Sequence, residues 1–221
     1  MTAGGESAAI STSIGDLDVL VVPHTHWDRE WYHLAGRFRQ RLVALVDELL
    51  NDGSDAPFLL DGQAVVLDDY LAVRPDRRDA LAAALRNGRI EAGPWYVLAD
   101  GLIPGGESLV RNLLAGRRTL ARLGATPPPV LYSPDAFGHP AAHPTIARGF
   151  GFGVAVVWRG YGGSRSPPGD AAWWAGVDGS GVLLYHLAPD GYEIGSRLPP
   201  TLIAARERWD ALRAVLGGAI R

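Results

Sequence analysis

The chain contains no cysteine. Disulfides and thiolate metal sites are therefore excluded, and any metal must be held by histidine, aspartate, glutamate or carbonyl oxygen. No apolar run is long enough to span a bilayer. The first sixteen residues, MTAGGESAAISTSIGD, lack the basic start and apolar middle of a signal peptide, so 1–16 read as a loose leader and a cytoplasmic location is expected. A strong charge of one sign is also missing: the formal net charge is −3, which gives no electrostatic ground for a nucleic-acid or membrane partner. There is no internal repeat. The 28 glycines and 16 prolines lie between patterned segments rather than in one low-complexity block.

What is present suits a soluble globular fold. At 221 residues, 47% hydrophobic and 20% charged, the chain can bury a sizeable core as one domain or part of a larger one. Short apolar or β-branched runs predict strands at Leu17–Val22, Phe58–Leu60, Arg89–Ala92, Val130–Ser133, Val154–Trp158 and Val182–His186. Helical spacing predicts helices at Phe38–Leu50, Asp76–Arg86, Ser108–Leu123 and Thr201–Leu216, with Gly88 and Gly124 as stops. This alternation predicts an α/β fold, a mostly parallel sheet with flanking helices. The last helical pattern runs almost to Arg221 with no closing strand, so 17–221 is expected to be an incomplete domain.

In such folds ligands bind at the carboxyl ends of strands. The chemically loaded segments follow strands: His24–Tyr32, Gly93–Asp100, Ser133–His143 and Arg159–Tyr161. His26 and Asp28 are spaced i, i+2, so an extended backbone projects both to one side, where they could grip a divalent ion. His24 has the same parity. A hydrogen-bonded turn with ordinary histidines is the plainer reading. Asp135 follows a strand in YSPDAFGHPAAHP and suits a nucleophile, metal ligand, base or helix cap. His139 and His143 form an H-x-x-x-H that could bind metal if helical. Trp95 and Tyr96 suit either core rings or a stacking platform for a sugar. Arg159 ends a strand, where its charge needs a carboxylate or a ligand.

The motifs HTHWDREWY, FLLDGQAVVLDDYLAVRP, GRIEAGPWYVLAD, GESLVRNLLAG, SPDAFGHPAAHPTIARGFG and VVWRG occur in one order along 17–187. In this the chain resembles the family 38 glycoside hydrolases, the α-mannosidases, and most of all the bacterial branch with mannosylglycerate hydrolases. The resemblance implies the N-terminal part of an irregular seven-stranded β/α barrel and a retaining hydrolase of terminal α-mannosides. It implies one zinc ion held by His26, Asp28 and Asp135, with Asp135 also the nucleophile and Arg159 near it. Trp27, Trp95, Tyr96 and Arg159 are then substrate-binding candidates, and His24 and His139 stand behind the ligands. The acid/base carboxyl and a further zinc-ligating histidine come from later sequence in the family; Asp170, Asp178, Asp190 and His186 are the late candidates here. The partner implied is carbohydrate, with self-association of a full-length enzyme left open. Two departures stand out: Gly101 follows Asp100 where the family often has an acid, and His143 stands where it usually has a neutral residue. The alternatives are a catalytically silent zinc- or sugar-binding fragment and a metal-dependent carbohydrate deacetylase using the H-x-x-x-H.

Overall fold

A computed structural model describes residues 11–14, 17–20, 22–161, 171–187, 191–193 and 207–208. The expected helix Thr201–Leu216 and the candidates Asp170 and Asp190 lie outside the described residues or nearly so. Eight strands and five α-helices are described, in the order β1 (Ser11–Ile14), β2 (Leu17–Leu20), α1 (Ala35–Asn51), β3 (Phe58–Leu59), α2 (Val65–Val73), α3 (Arg78–Arg86), β4 (Ile90–Glu91), α4 (Gly106–Ala121), β5 (Val130–Ser133), α5 (His143–Gly149), β6 (Val154–Val157), β7 (Ala171–Ala175) and β8 (Gly181–His186). Among the described residues, no helix is long and apolar enough to cross a membrane. The chain divides into two compact units, 1–97 with 111–128, and 98–110 with 129–221.

In the first unit β1 pairs antiparallel with β2, so Ser11–Ile14 forms a strand within the stretch expected as leader. β3 and β4 are parallel, Phe58 opposite Ile90 and Leu59 opposite Glu91. The pairing continues as single bridges from His24 to Leu59 and from Gln63 to Trp95. α1 buries Phe38, Leu42 and Val46, residues four apart on one face. Leu42 and Val46 meet α2 and α3 in a core that includes Leu60, Leu67, Tyr70, Leu81 and Ile90. α2 was not expected from the sequence. Its Val65, Val66, Leu67 and Tyr70 are all buried, so it carries no one-sided apolar stripe to read. The expected helix from Asp76 begins instead as a 3₁₀ turn, Pro75–Arg77, and becomes α-helical at Arg78. At Gly88, just past α3, φ is +77°, the left-handed conformation that stops a helix.

The second unit holds a four-stranded sheet in the order β5-β6-β8-β7. β5, β6 and β8 are parallel, while β7 runs antiparallel to β8 as a hairpin. β7, sequence AAWWA, was missed because it has no β-branched residue. Leu131, Ala155, Val157, Val182 and Leu184 are the buried large or apolar side chains of this sheet, and Ser133 is buried beside them. The hairpin turn is fastened at Asp178, whose carboxylate accepts hydrogen bonds from Ser180 Oγ at 2.5 Å and Thr145 Oγ1 at 2.6 Å. These bonds, Ser180 first, pull its pKa down to about 2.

Candidate active site

Both units carry their polar clusters where strands end. In the first, the chain leaving β2 runs beside β3: Leu59 N–H donates to Pro23 O at 3.0 Å and Thr25 N–H to Leu59 O at 3.1 Å. This extended path puts His26 and Asp28 on one side, with His26 Nε2 3.8 Å from Asp28 Oδ1. Adjacent ligands of a tetrahedral zinc lie about 3.4 Å apart, so these donors fit a shared divalent ion. Among the described residues, no three His, Asp or Glu side chains are gathered closely enough to form a metal group by themselves.

Asp61, which the sequence reading passed over inside FLLDGQAVV, is fully buried directly beyond β3. Its Oδ2 accepts from Trp27 N–H at 2.9 Å and from Gln63 Nε2 at 2.8 Å, and its Oδ1 from Gly62 N–H at 2.6 Å. His26 Nδ1 lies 3.7 Å from the same Oδ1, too far for a hydrogen bond but close enough for electrostatic attraction. Gln63 Nε2 also donates to Trp27 O at 2.7 Å. The signal that could have found Asp61 was its position, an acid immediately after a strand.

In the second unit Asp135 lies just past the end of β5 and Arg159 just past the end of β6. Arg159 Nε meets Asp135 Oδ1 at 2.9 Å. The guanidinium also lies over Trp158, 4.4 Å from its ring centroid, and over Phe137 at 5.5 Å. Phe137 is 65% exposed beside Asp135, and its N–H donates to Asp100 Oδ1 at 3.1 Å. His139 Nε2 is 2.9 Å from Arg159 O, so a proton there is shared with the backbone of the arginine that holds Asp135. His186, the last residue of β8 and the partner of Val157, has Nε2 2.9 Å from Trp158 O and stacks on Tyr161 with centroids 4.4 Å apart.

The H-x-x-x-H does not lie on a helix, since α5 begins only at His143. The two rings sit 5.7 Å apart and edge-on to Trp174. His143 is buried, and burial first, then His139, drives its pKa from 6.5 down to about 4; burial also lowers that of His139. His139 is committed to the Arg159 carbonyl, which argues against the deacetylase arrangement.

Trp95 requires a correction. At 3% exposure it is a core ring rather than a stacking platform. Its backbone is tied to Gly62 and Ala64 on the β3 side, and α4 passes so close at Gly116 that an added Cβ would be 2.2 Å from Pro94 O. Tyr96 is partly buried, with its N–H held by Asn112 Oδ1 at 2.9 Å, and burial is the main cause raising its hydroxyl pKa. Trp27 is half-buried, edge-on to Phe38 at 6.4 Å. His24 is fixed through its backbone bridge to Leu59. The most exposed of the large rings among the described residues are Trp31 at 74%, Trp173 at 70% and Phe137 at 65%.

The profile of the glycosyl hydrolases family 38 N-terminal domain matches residues 16–214. A protein provisionally named mannosylglycerate hydrolase, from Halalkalibacterium halodurans, is 32% identical over 203 residues, which cover 86% of this chain and 22% of that protein. The crystal structure of an alpha-mannosidase from Enterococcus faecalis V583 superposes with a TM-score of 0.83 at 34% identity, covering 90% of this chain and 23% of that one. Human alpha-mannosidase 2C1 is 28% identical over 132 residues, 59% of this chain and 13% of that protein. The chain thus spans about a fifth of the length of the first two. With the family profile matched over most of its residues, the chain belongs to glycoside hydrolase family 38.

Proposed function

We propose that the chain carries the nucleophile half of a retaining α-mannosidase acting on terminal α-mannosides. The observation that carries this reading is the 2.9 Å pair between Arg159 and Asp135 at the carboxyl edge of the parallel strands, in a chain of this family. The guanidinium fixes one carboxylate oxygen, leaving the other to attack. In the retaining mechanism the Asp135 carboxylate bonds to the anomeric carbon as the bond to the leaving oxygen breaks. A second carboxyl, about 5–5.5 Å away in such enzymes, protonates that oxygen and then activates the water that releases the sugar. The family resemblance assigns that carboxyl to sequence after the matched segments. The exposed Phe137 ring offers a flat face to the C–H side of a pyranose.

The zinc ligands proposed are His26, Asp28 and Asp135. His26 and Asp28 meet in the first unit as a pair of suitable type and spacing; the place of Asp135 rests on the resemblance. When bound, a zinc ion supplies positive charge that orients sugar hydroxyls and polarises their oxygens. The irregular seven-stranded β/α barrel rests on the resemblance in the same way.

The test is zinc by elemental analysis on the purified chain, with an aryl α-mannoside assay on the same samples. One zinc per chain, lost in His26→Ala and in Asp135→Asn, together with turnover lost in Asp135→Asn, supports the proposal. Zinc without turnover gives the second reading, a catalytically silent metal- and sugar-binding fragment. A folded chain that takes up no added zinc overturns the metal assignment.

A further inference from the structure

Between the two proposed ligands lies one peptide group that is gripped on both sides. Trp27 N–H donates to Asp61 Oδ2, and Trp27 O accepts from Gln63 Nε2. Asp61 and Gln63 are joined to each other at 2.8 Å, and both are buried. They in turn are anchored to the next segment, where Gly93 N–H donates to Asp61 O at 3.0 Å and Gln63 bridges Trp95. The Trp27 backbone therefore has no freedom to rotate His26 and Asp28 apart.

A buried carboxylate is costly and is kept only with compensating donors or charge. Asp61 has three donors around it and an imidazole nitrogen beyond them. A carboxylate facing Nδ1 favours the tautomer with the proton on that nitrogen, which leaves the Nε2 lone pair toward Asp28. That is the orientation a metal-binding imidazole needs, and partners of this kind fix tautomer and ring direction.

We propose that Asp61 and Gln63 form a positioning clamp that sets His26 and Asp28 as a paired donor site for a divalent cation. Asp61 selects the His26 tautomer, and both residues fix the peptide between the ligands. This rests on the metal reading above, in which only His26, Asp28 and Asp135 were assigned.

The experiment uses the 221-residue chain with two readouts. The first, without metal, is the protonated nitrogen of His26 by ¹⁵N-edited NMR on histidine-labelled protein, with His26→Ala assigning the signal. The second is zinc affinity by competition with a chelator. The wild type is expected to show Nδ1–H. Asp61→Asn is expected to move His26 toward Nε2–H and weaken zinc by about 10–100-fold, the range for lost outer partners of a ligand. Gln63→Leu is expected to weaken zinc less and to leave the tautomer in place. A wild-type His26 protonated on Nε2 overturns the clamp without any variant, including where Asp61→Asn fails to fold. Zinc affinity within twofold of wild type in a folded Asp61→Asn overturns it as well. A wild type that takes up no zinc sinks the metal reading, and the clamp then stands or falls on the two tautomer results.

Discussion

His143 fills the space that a side chain at residue 101 would need: a Cβ built on Gly101 would lie 3.0 Å from His143 Cε1 and 2.9 Å from both Gly138 O and Pro140 Cδ. The two positions read from the sequence as departures from the family pattern are therefore neighbours. Gly101→Ala is expected to destabilise the protein by about 1–3 kcal/mol, the usual cost of overpacking. Adding His143→Ala should recover only part of that, because the Gly138 carbonyl and the Pro140 ring remain. Denaturant midpoints of the two single variants and the double variant measure the coupling.

His143 also makes stability depend on pH. Its folded pKa is about 4 against an ordinary 6.5, chiefly through burial. As pH falls through 6.5 the unfolded chain takes up a proton that the folded chain refuses until about pH 4. Stability from this group is therefore full above 6.5, falls between 6.5 and 4, and levels off below, by about 3 kcal/mol at most. Stability curves for the wild type and His143→Leu should diverge across that window and run parallel above it. Parallel curves throughout would remove the histidine as the cause.

Tyr70 gives the opposite dependence at high pH. Burial, then its hydrogen bond to Asp47 at 2.7 Å, raises its pKa to about 12. The stability it contributes is intact below pH 10 and lost as pH rises toward 12. Tyr70→Phe is expected to cost about 1 kcal/mol at neutral pH, by deleting one hydrogen bond, and to flatten the alkaline limb. Thermal melts between pH 7 and 11 check both.

Arg159→Ala separates folding from chemistry. The arginine side chain is 43% exposed, so losing its pair with Asp135 should change stability by under about 1 kcal/mol. In any preparation that hydrolyses an aryl mannoside, turnover is expected to fall by about 10²-fold or more, as when a charge-positioning group is removed from a reacting centre. Equal turnover in wild type and variant would detach Arg159 from the reaction.

Much of the scaffold was legible because its signals are local. β5 was predicted with its observed ends, and α1 and α4 within three residues, since apolar spacing and turn residues mark them. What escaped has a common cause. α2 is buried on more than one side and shows no stripe, while β7 takes its place by pairing with β8 rather than by its own composition. Of the proposed functional residues, His26, Asp28, Asp135 and Arg159 announced themselves by residue type at strand ends. Asp61 did not, because its role lies in a hydrogen bond from Trp27, 34 positions earlier, beside the bond that Gln63 gives the same residue from 36 positions away. Trp95 misled for the same reason: only three-dimensional packing tells a core ring from a platform.

Those long-range bonds also bear on the order of events during folding. The His26–Asp28 pair is set by a segment that must first close a loop of more than thirty residues, a step that local contacts cannot hasten. Until that loop closes, the two donors sit on a free chain with no preferred separation. A cation binding tightly to them would therefore discriminate between finished and unfinished molecules. It would act as a checkpoint that rewards only chains whose first parallel pairing is in register.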